Sequence, residues 1–249
     1  MRDIFINEDK INIDSGTFFG RGAFETILVK DKPVLLKEHI NRLNKAIEYL
    51  NIGEKIDLDF ISNIINGEKY SNIAVKIAVT EKNIIFTTRE IKYNENTYKN
   101  GFKVRLSKVM RNSSSNICRH KTLNYLENII EYENANKDGF NETLFLNEKH
   151  NLSEGCTSNI FIVKDENIYT PTIDCGILPG VLRAWVIENF SVMEKEISKE
   201  EFLNCDEMFL TNSLVGVVKI SEFENKKFHS KISDKVKAHY DEFIFGGDY

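Results

Sequence analysis

The hydrophobic pattern of the first ninety residues predicts a small unit of alternating strands and helices. Short apolar runs bounded by turn residues indicate strands, and apolar residues at helical spacing indicate a helix. The predicted elements are strands over 24–29 and 33–36, a helix over 38–50, and a hairpin formed by 73–79 and 84–86. The polar stretch 92–100 has no hydrophobic period, and the linker between two units is predicted directly after it.

The rest of the chain repeats this alternation and predicts a second unit. The predicted elements are strands over 104–109, 143–146, 159–163, 207–210 and 215–220, and helices over 124–134, 180–190 and 231–245. Glu154 falls in the predicted loop between two of these strands. The fold class is therefore α/β, with domains predicted at 1–101 and 102–249 and a cofactor cleft expected between them.

Composition narrows the class of protein. The chain has 249 residues, 41% of them apolar and 29% charged, with a formal net charge of -5, so it has no general attraction for nucleic acid or anionic membranes. No run of about 18 apolar residues predicts a membrane span. The charged N-terminus predicts a cytoplasmic protein. Four widely spaced cysteines predict reduced thiols, and the spacing of the five histidines gives no support for a metal site.

Four short motifs and one arginine could together carry the chemistry of pyridoxal phosphate (PLP). Lys121 offers an amine for an imine, and Glu154 an acid for a pyridine nitrogen. The segment 178–183 predicts a helix that begins at a glycine, where backbone amides bind phosphate, and 211–213 could add hydroxyl donors. Arg42 could supply a guanidinium. Taken singly, each motif also fits an ordinary surface residue or turn.

Taken together in their order along the chain, these motifs resemble those of the fold type IV PLP enzymes. That family includes branched-chain aminotransferases, D-amino acid aminotransferases and 4-amino-4-deoxychorismate lyases. The resemblance runs from about residue 11 to about residue 220. Its motifs are Gly-x-Gly-x-Phe-Glu at 20–25, His-x-x-Arg-Leu at 39–43, Lys-x-Leu-Asn at 121–124, Ser-Glu-Gly at 153–155, Pro-Gly-x-x-Arg at 179–183 and Thr-Asn-Ser at 211–213.

The resemblance implies a role for each matched residue. Lys121 matches the Schiff-base lysine that also moves the substrate proton, and Glu154 matches the acid on the pyridine nitrogen. The implied phosphate ligands are Arg42, the backbone amides of Val181 and Leu182, and Ser213. The family fold is a small N-terminal α/β domain followed by a larger C-terminal pseudo-barrel domain, and its members are usually homodimers.

Within the family, the last motif favours one reaction. Thr-Asn-Ser-Leu at 211–214 is most similar to the 4-amino-4-deoxychorismate lyases, whereas branched-chain enzymes tend to have Gly-Thr-Ala there. The expected reaction is the release of 4-aminobenzoate and pyruvate for folate synthesis. The alternative is an aminotransferase acting on branched-chain or D-amino acids, and the remote alternative is a protein without a cofactor. Arg21 and Arg105 are the cations proposed for the substrate's carboxylates.

Overall fold

The computed structural model describes residues 2–247, which divide into two compact units. Among the described residues, the first unit takes 2–92, His120–Leu126 and 246–247. The second takes Tyr93–Arg119 and Glu127–Phe245. The short segment that contains Lys121 thus belongs to the unit built from the N-terminal residues. The domain boundary after residue 101 stays a prediction.

The first unit is a four-stranded sheet with helices on it. Its elements are β1 (Asp3–Ile6), α1 (Ser15–Phe19), β2 (Ala23–Val29), α2 (Leu36–Leu50), α3 (Leu58–Gly67), β3 (Ile73–Val79) and β4 (Asn83–Glu90). The strand order is β1-β4-β3-β2, in which β3 is antiparallel to both of its neighbours, β2 and β4, and β1 is parallel to β4. Alternate residues of β2 and β3 face the apolar sides of α2 and α3, where the core of this unit lies.

One prediction for the first unit is corrected, and three of its elements were not predicted. The strand predicted over 33–36 is wrong: Pro33 makes only an isolated bridge with Val29, and α2 already begins at Leu36. Leu35 has φ 52°, and this left-handed residue turns the chain into the helix. The structure also contains β1, α1 and α3, which the sequence pattern did not predict.

The second unit contains a nine-stranded sheet that curls into a half-barrel. Its strands are β5 (Phe102–Arg111), β6 (Glu142–Asn147), β7 (Leu152–Gly155), β8 (Asn159–Lys164), β9 (Asn167–Pro171), β10 (Val192–Lys195), β11 (Glu207–Asn212), β12 (Gly216–Phe223) and β13 (Lys226–Lys227). Its helices are α4 (Glu95–Asn100), α5 (Leu126–Lys137), α6 (Val181–Asn189), α7 (Lys199–Leu203) and α8 (Lys231–Gly246). The first residue of α5 and the last residue of α8 are grouped with the first unit. The α/β fold class predicted from the sequence is confirmed.

In this unit one helix was not predicted, and one prediction is corrected. The polar stretch 92–100, for which no element was predicted, contains α4, whose first turn is closed by a capping box between Asn94 and Thr97. Glu154 lies within strand β7 and not in a loop. Both errors have one cause, because these elements are too short for a hydrophobic period to reveal them. Within residues 2–247, no helix is long and apolar enough to cross a membrane.

Candidate active site

Lys121 is held against the start of strand β2. The Phe24 N–H donates to the Lys121 carbonyl at 2.9 Å, and the Leu123 N–H donates to the Gly22 carbonyl at 2.8 Å. The Lys121 Nζ lies 4.4 Å from the centroid of the Phe24 ring and 5.0 Å from that of Tyr125. The two rings contact each other with centroids 5.3 Å apart, so the amine of this lysine lies against an aromatic pair, unlike that of an ordinary surface lysine.

Arg42 lies on α2 and pairs with a carboxylate that is fully buried in β2. The Arg42 Nε and Nη2 donate to the two carboxylate oxygens of Glu25, each at 2.7 Å. His39 Nδ1 lies 2.6 Å from the same carboxylate. The pairing is bidentate, so it fixes the plane of the guanidinium as well as its position.

The charges of this buried cluster follow from its geometry. Burial alone would raise the pKa of Glu25, but Arg42, and then His39, lower it to about 2. Burial lowers the pKa of His39, and the positive charges of Arg42 and Lys121 lower it further, against the opposing effect of Glu25. His39 is therefore neutral near pH 7, and Arg42 is the charge that keeps Glu25 ionised.

Sequence reasoning gave Glu25 and His39 no role. One feature of the sequence could have drawn attention to Glu25, because it is an acid inside a mostly apolar run that is predicted to be a strand. A buried acid needs a partner. The structure shows that the partners lie on the next helix, at two positions of the motif His-x-x-Arg-Leu.

Glu154 is buried in β7 of the second unit, with only 7% of its surface exposed. Its carboxylate accepts a hydrogen bond of 2.9 Å from the Leu178 N–H. The Arg111 Nη2 lies 3.7 Å from its other oxygen, and the Arg111 guanidinium lies 3.9 Å from the centroid of the Phe145 ring. Sequence reasoning missed Arg111, which had no signal beyond its place at the end of strand β5.

A second buried acid holds the turn that follows Glu154. The Glu142 carboxylate accepts hydrogen bonds from the backbone N–H groups of Cys156 and Thr157 and from the hydroxyls of Thr157 and Ser158. Burial raises the pKa of Glu142, although these hydrogen bonds oppose the shift. Glu142 therefore fixes the path of the chain directly after Glu154.

The start of α6 exposes backbone donors. Gly180 is the N-cap residue, and no side chain caps this end of the helix. A Cβ at Gly180 would lie 1.8 Å from the Asn159 Oδ1, so only glycine allows this close approach. Val181 and Leu182 are the first two residues of the helix, where backbone N–H groups have no partner within the helix.

Ser213 lies in the turn between β11 and β12. The Asn212 side-chain oxygen accepts hydrogen bonds from the N–H groups of Leu214 at 2.9 Å and Val215 at 2.8 Å, which fixes the turn around Ser213. The hydroxyl of Thr211, two residues earlier, is buried and has no hydrogen-bond partner among residues 2–247.

The structure places the six predicted site residues in two groups. Arg42 and Lys121 belong to the first unit, where both act electrostatically on His39. The second unit holds the other four, which are Glu154, Val181, Leu182 and Ser213.

The two cations proposed for the substrate have other partners. The Arg21 guanidinium donates to the carbonyls of Leu50 and Asn51 and so caps the C-terminal end of α2. Arg105 pairs with Asp138 and also donates to the Thr143 hydroxyl. Neither arginine is therefore supported as a ligand of the substrate's carboxylates.

Two kinds of sequence comparison with known proteins point to the same family. The profile of the amino-transferase class IV family matches residues 22–223. The chain is 28% identical to the aminodeoxychorismate lyase of Bacillus subtilis (strain 168), over 90% of this chain and 85% of that protein. It is 26% identical to a candidate branched-chain-amino-acid aminotransferase of Methanocaldococcus jannaschii, over 95% of this chain and 92% of that protein.

A solved structure shows the same fold. A candidate 4-amino-4-deoxychorismate lyase from Legionella pneumophila superposes with a TM-score of 0.86 and 26% sequence identity. The superposition covers 96% of this chain and 98% of that one.

Proposed function

Because this chain belongs to the amino-transferase class IV family of PLP-dependent enzymes, we propose that it is a PLP-dependent lyase. The proposed reaction converts 4-amino-4-deoxychorismate to 4-aminobenzoate and pyruvate, as a step of folate synthesis. Support comes from the lyases among its similar proteins and from the turn at 211–214.

The residues present fit PLP. The phosphate would take the Arg42 guanidinium, the amides of Val181 and Leu182 at the uncapped start of α6, and the Ser213 hydroxyl. Because position 180 must be glycine, its residue has no side chain that could cover these amides. Glu154 would accept the N–H of the pyridine ring. Lys121 would bind the cofactor covalently through Nζ.

Each protein group has a defined task in the proposed reaction. When bound, PLP supplies an electron sink for the carbon that carries the substrate's amine. Lys121 yields its place to that amine, and its Nζ then takes the proton from the amine-bearing carbon. Breaking of the ether bond releases the enolpyruvyl group, which gains a proton as it becomes pyruvate, while the ring becomes aromatic. No oxidant or reductant is consumed. The Phe24 and Tyr125 rings would limit the movement of the amine during this proton transfer.

The turn after β11 is the observation that favours elimination. Asn212 of the Thr-Asn-Ser-Leu motif has a structural task, because its side chain holds two backbone N–H groups of the turn. The motif therefore forms an ordered turn of the second unit, and its likeness to the lyases is what supports elimination. The aminotransferase alternative is supported by the 26% identity to the candidate branched-chain enzyme.

One assay separates the two reactions. Purified holoenzyme supplied with 4-amino-4-deoxychorismate should release 4-aminobenzoate and pyruvate in equal amounts, with no keto acid added. A protein that stops after one turnover and resumes when a keto acid is supplied would be an aminotransferase, on branched-chain or D-amino acids.

Attachment at Lys121 has an independent test. Borohydride reduction of the holoenzyme, followed by digestion and peptide mapping, should place the pyridoxyl label on Lys121. Label on another lysine would contradict the assignment.

The proposal keeps the homodimer and the cytoplasmic location that the sequence predicts. Light scattering on the purified holoenzyme should give a mass near twice the 28.8 kDa of one chain. A mass of one chain at micromolar concentration would contradict the homodimer.

A further inference from the structure

Helix α8 is anchored to strand β11, which leads into the turn that contains Ser213. The Glu207 carboxylate, at the start of β11, accepts hydrogen bonds of 3.0 Å from the backbone N–H groups of Ile232 and Ser233 in the first turn of α8. The buried residues of α8 recur at intervals of three and four, so they share one side of the helix. They are Ser233, Val236, Tyr240 and Ile244.

The Tyr240 ring lies directly against the turn that contains Ser213. Gly216 closes this turn by pairing with Asn212. A Cβ at Gly216 would lie 2.6 Å from the Tyr240 Cε1 and 3.0 Å from its Cδ1. Gly216 also has φ 66°, a left-handed conformation that favours glycine. The edge of the ring therefore packs on the backbone of the turn, with no side chain between them.

The same ring contacts α6, the helix whose first backbone amides are assigned to the phosphate. The Tyr240 and Trp185 rings have centroids 5.2 Å apart and meet edge to face at 74°. Trp185 is buried and lies one helical turn after Val181. Tyr240 therefore packs on both elements of the second unit that are proposed to hold the phosphate, although these elements are far apart in the chain.

We propose that Tyr240 is a positioning residue that sets the affinity of this protein for the phosphate of its cofactor. A phosphate that contacts both elements binds tightly only when their separation is already fixed, because otherwise binding must also order them. One rigid ring packed on both elements supplies this order before the cofactor binds. The inference rests on the proposed function, which assigns the phosphate to the start of α6 and to Ser213.

The competing interpretation is that Tyr240 only stabilises the second unit through the apolar area that it buries. Pyridoxal distinguishes the two interpretations, because it has the ring and the aldehyde of PLP but no phosphate. The ratio of the Kd of pyridoxal to the Kd of PLP measures what the phosphate contributes to binding. A loss of stability alone weakens the binding of both compounds equally and leaves this ratio unchanged.

The test titrates both compounds into the apo-protein of the wild type, Tyr240→Ala, Tyr240→Phe and the matched control Ile244→Ala. Ile244 is buried on the same side of α8, one turn further along. We expect Tyr240→Ala to lower the ratio by roughly tenfold or more, because the turn and α6 lose their shared support. Tyr240→Phe keeps the ring and should stay within about threefold of the wild type. Ile244→Ala should lower the stability to urea and leave the ratio unchanged.

The outcomes separate this inference from the proposed function. If the wild type binds PLP more tightly than pyridoxal and Tyr240→Ala keeps the same ratio, the inference is wrong and the proposed function stands. If the wild type binds PLP no more tightly than pyridoxal, the proposed phosphate site fails and the inference fails with it. An equal fall of the ratio in Ile244→Ala would also contradict a role specific to Tyr240. If Tyr240→Ala does not fold, Tyr240→Leu removes the ring but keeps apolar volume, and the same criteria decide.

Discussion

Replacing Arg42 by methionine should destabilise the protein even without its cofactor. The change leaves the Glu25 carboxylate, which has 0% of its side chain exposed, without its cationic partner. Loss of one partner of a buried ion pair typically costs about 3–5 kcal/mol, since the remaining charge stays buried. The pKa shift gives a similar size. A pKa lowered from 4.5 to about 2 corresponds to roughly 3 kcal/mol at 1.36 kcal/mol per unit.

The pH dependence should identify the cause. In the wild type, the folded pKa of Glu25 lies below its unfolded value of 4.5, so this group's contribution is complete above pH 4.5 and is lost as the pH falls toward 2. Without Arg42, burial raises the pKa of Glu25, and the repulsion that lowers the pKa of His39 is reduced. The cluster then takes up protons as the pH falls. The difference in stability between variant and wild type should therefore be largest near pH 7 and shrink toward pH 4.

The assay is urea unfolding of the apo-proteins between pH 4 and pH 7. Lys45→Met on the same helix is the matched control, and its exposed side chain should change stability by less than about 0.5 kcal/mol. The double variant Glu25→Gln with Arg42→Met should recover part of the loss, because no buried charge remains. If the free energy of unfolding of the single variant Arg42→Met differs from that of the wild type by the same amount at every pH, the reasoning is refuted.

Three further predictions concern the proposed cofactor. Glu154→Gln should keep PLP bound but lower turnover by roughly tenfold or more, about 1.4 kcal/mol in barrier, in a steady-state assay of 4-aminobenzoate release; unchanged turnover would contradict its role at the pyridine nitrogen. Arg42→Ala should weaken PLP binding more than Ser213→Ala, because a guanidinium–phosphate contact is charge-assisted; titration of PLP into apo-protein ranks them, and the reverse order would remove Arg42 from the phosphate site. Gly180→Ala should weaken PLP binding in the same titration, because its Cβ would lie 1.8 Å from the Asn159 Oδ1 and force the start of α6 to move; wild-type affinity would show that this close approach is not needed.

The sequence alone was sufficient for the fold class and for the longer elements. The helix at 38–50 and the strands at 73–79 and 159–163 were predicted close to their observed bounds, because each is long enough to show a period or a continuous apolar run. The motifs also indicated the family, which the match over residues 22–223 confirms. Such motifs can be recognised in a sequence because each one spans only a few consecutive residues.

Only the tertiary structure decided which side chains surround these motifs. Glu25 and Arg42 are 17 residues apart, and Arg111 and Glu154 are 43 apart, so no local pattern predicts either contact. Arg21 could be assigned to the substrate from the sequence, but its guanidinium caps a helix that ends about thirty residues later. Lys76 and Lys121 are 45 residues apart, yet the fold places both amines against the Phe24 ring. Burial and pairing depend on contacts between distant segments, and those contacts fix which charges are compensated and which remain to bind a ligand.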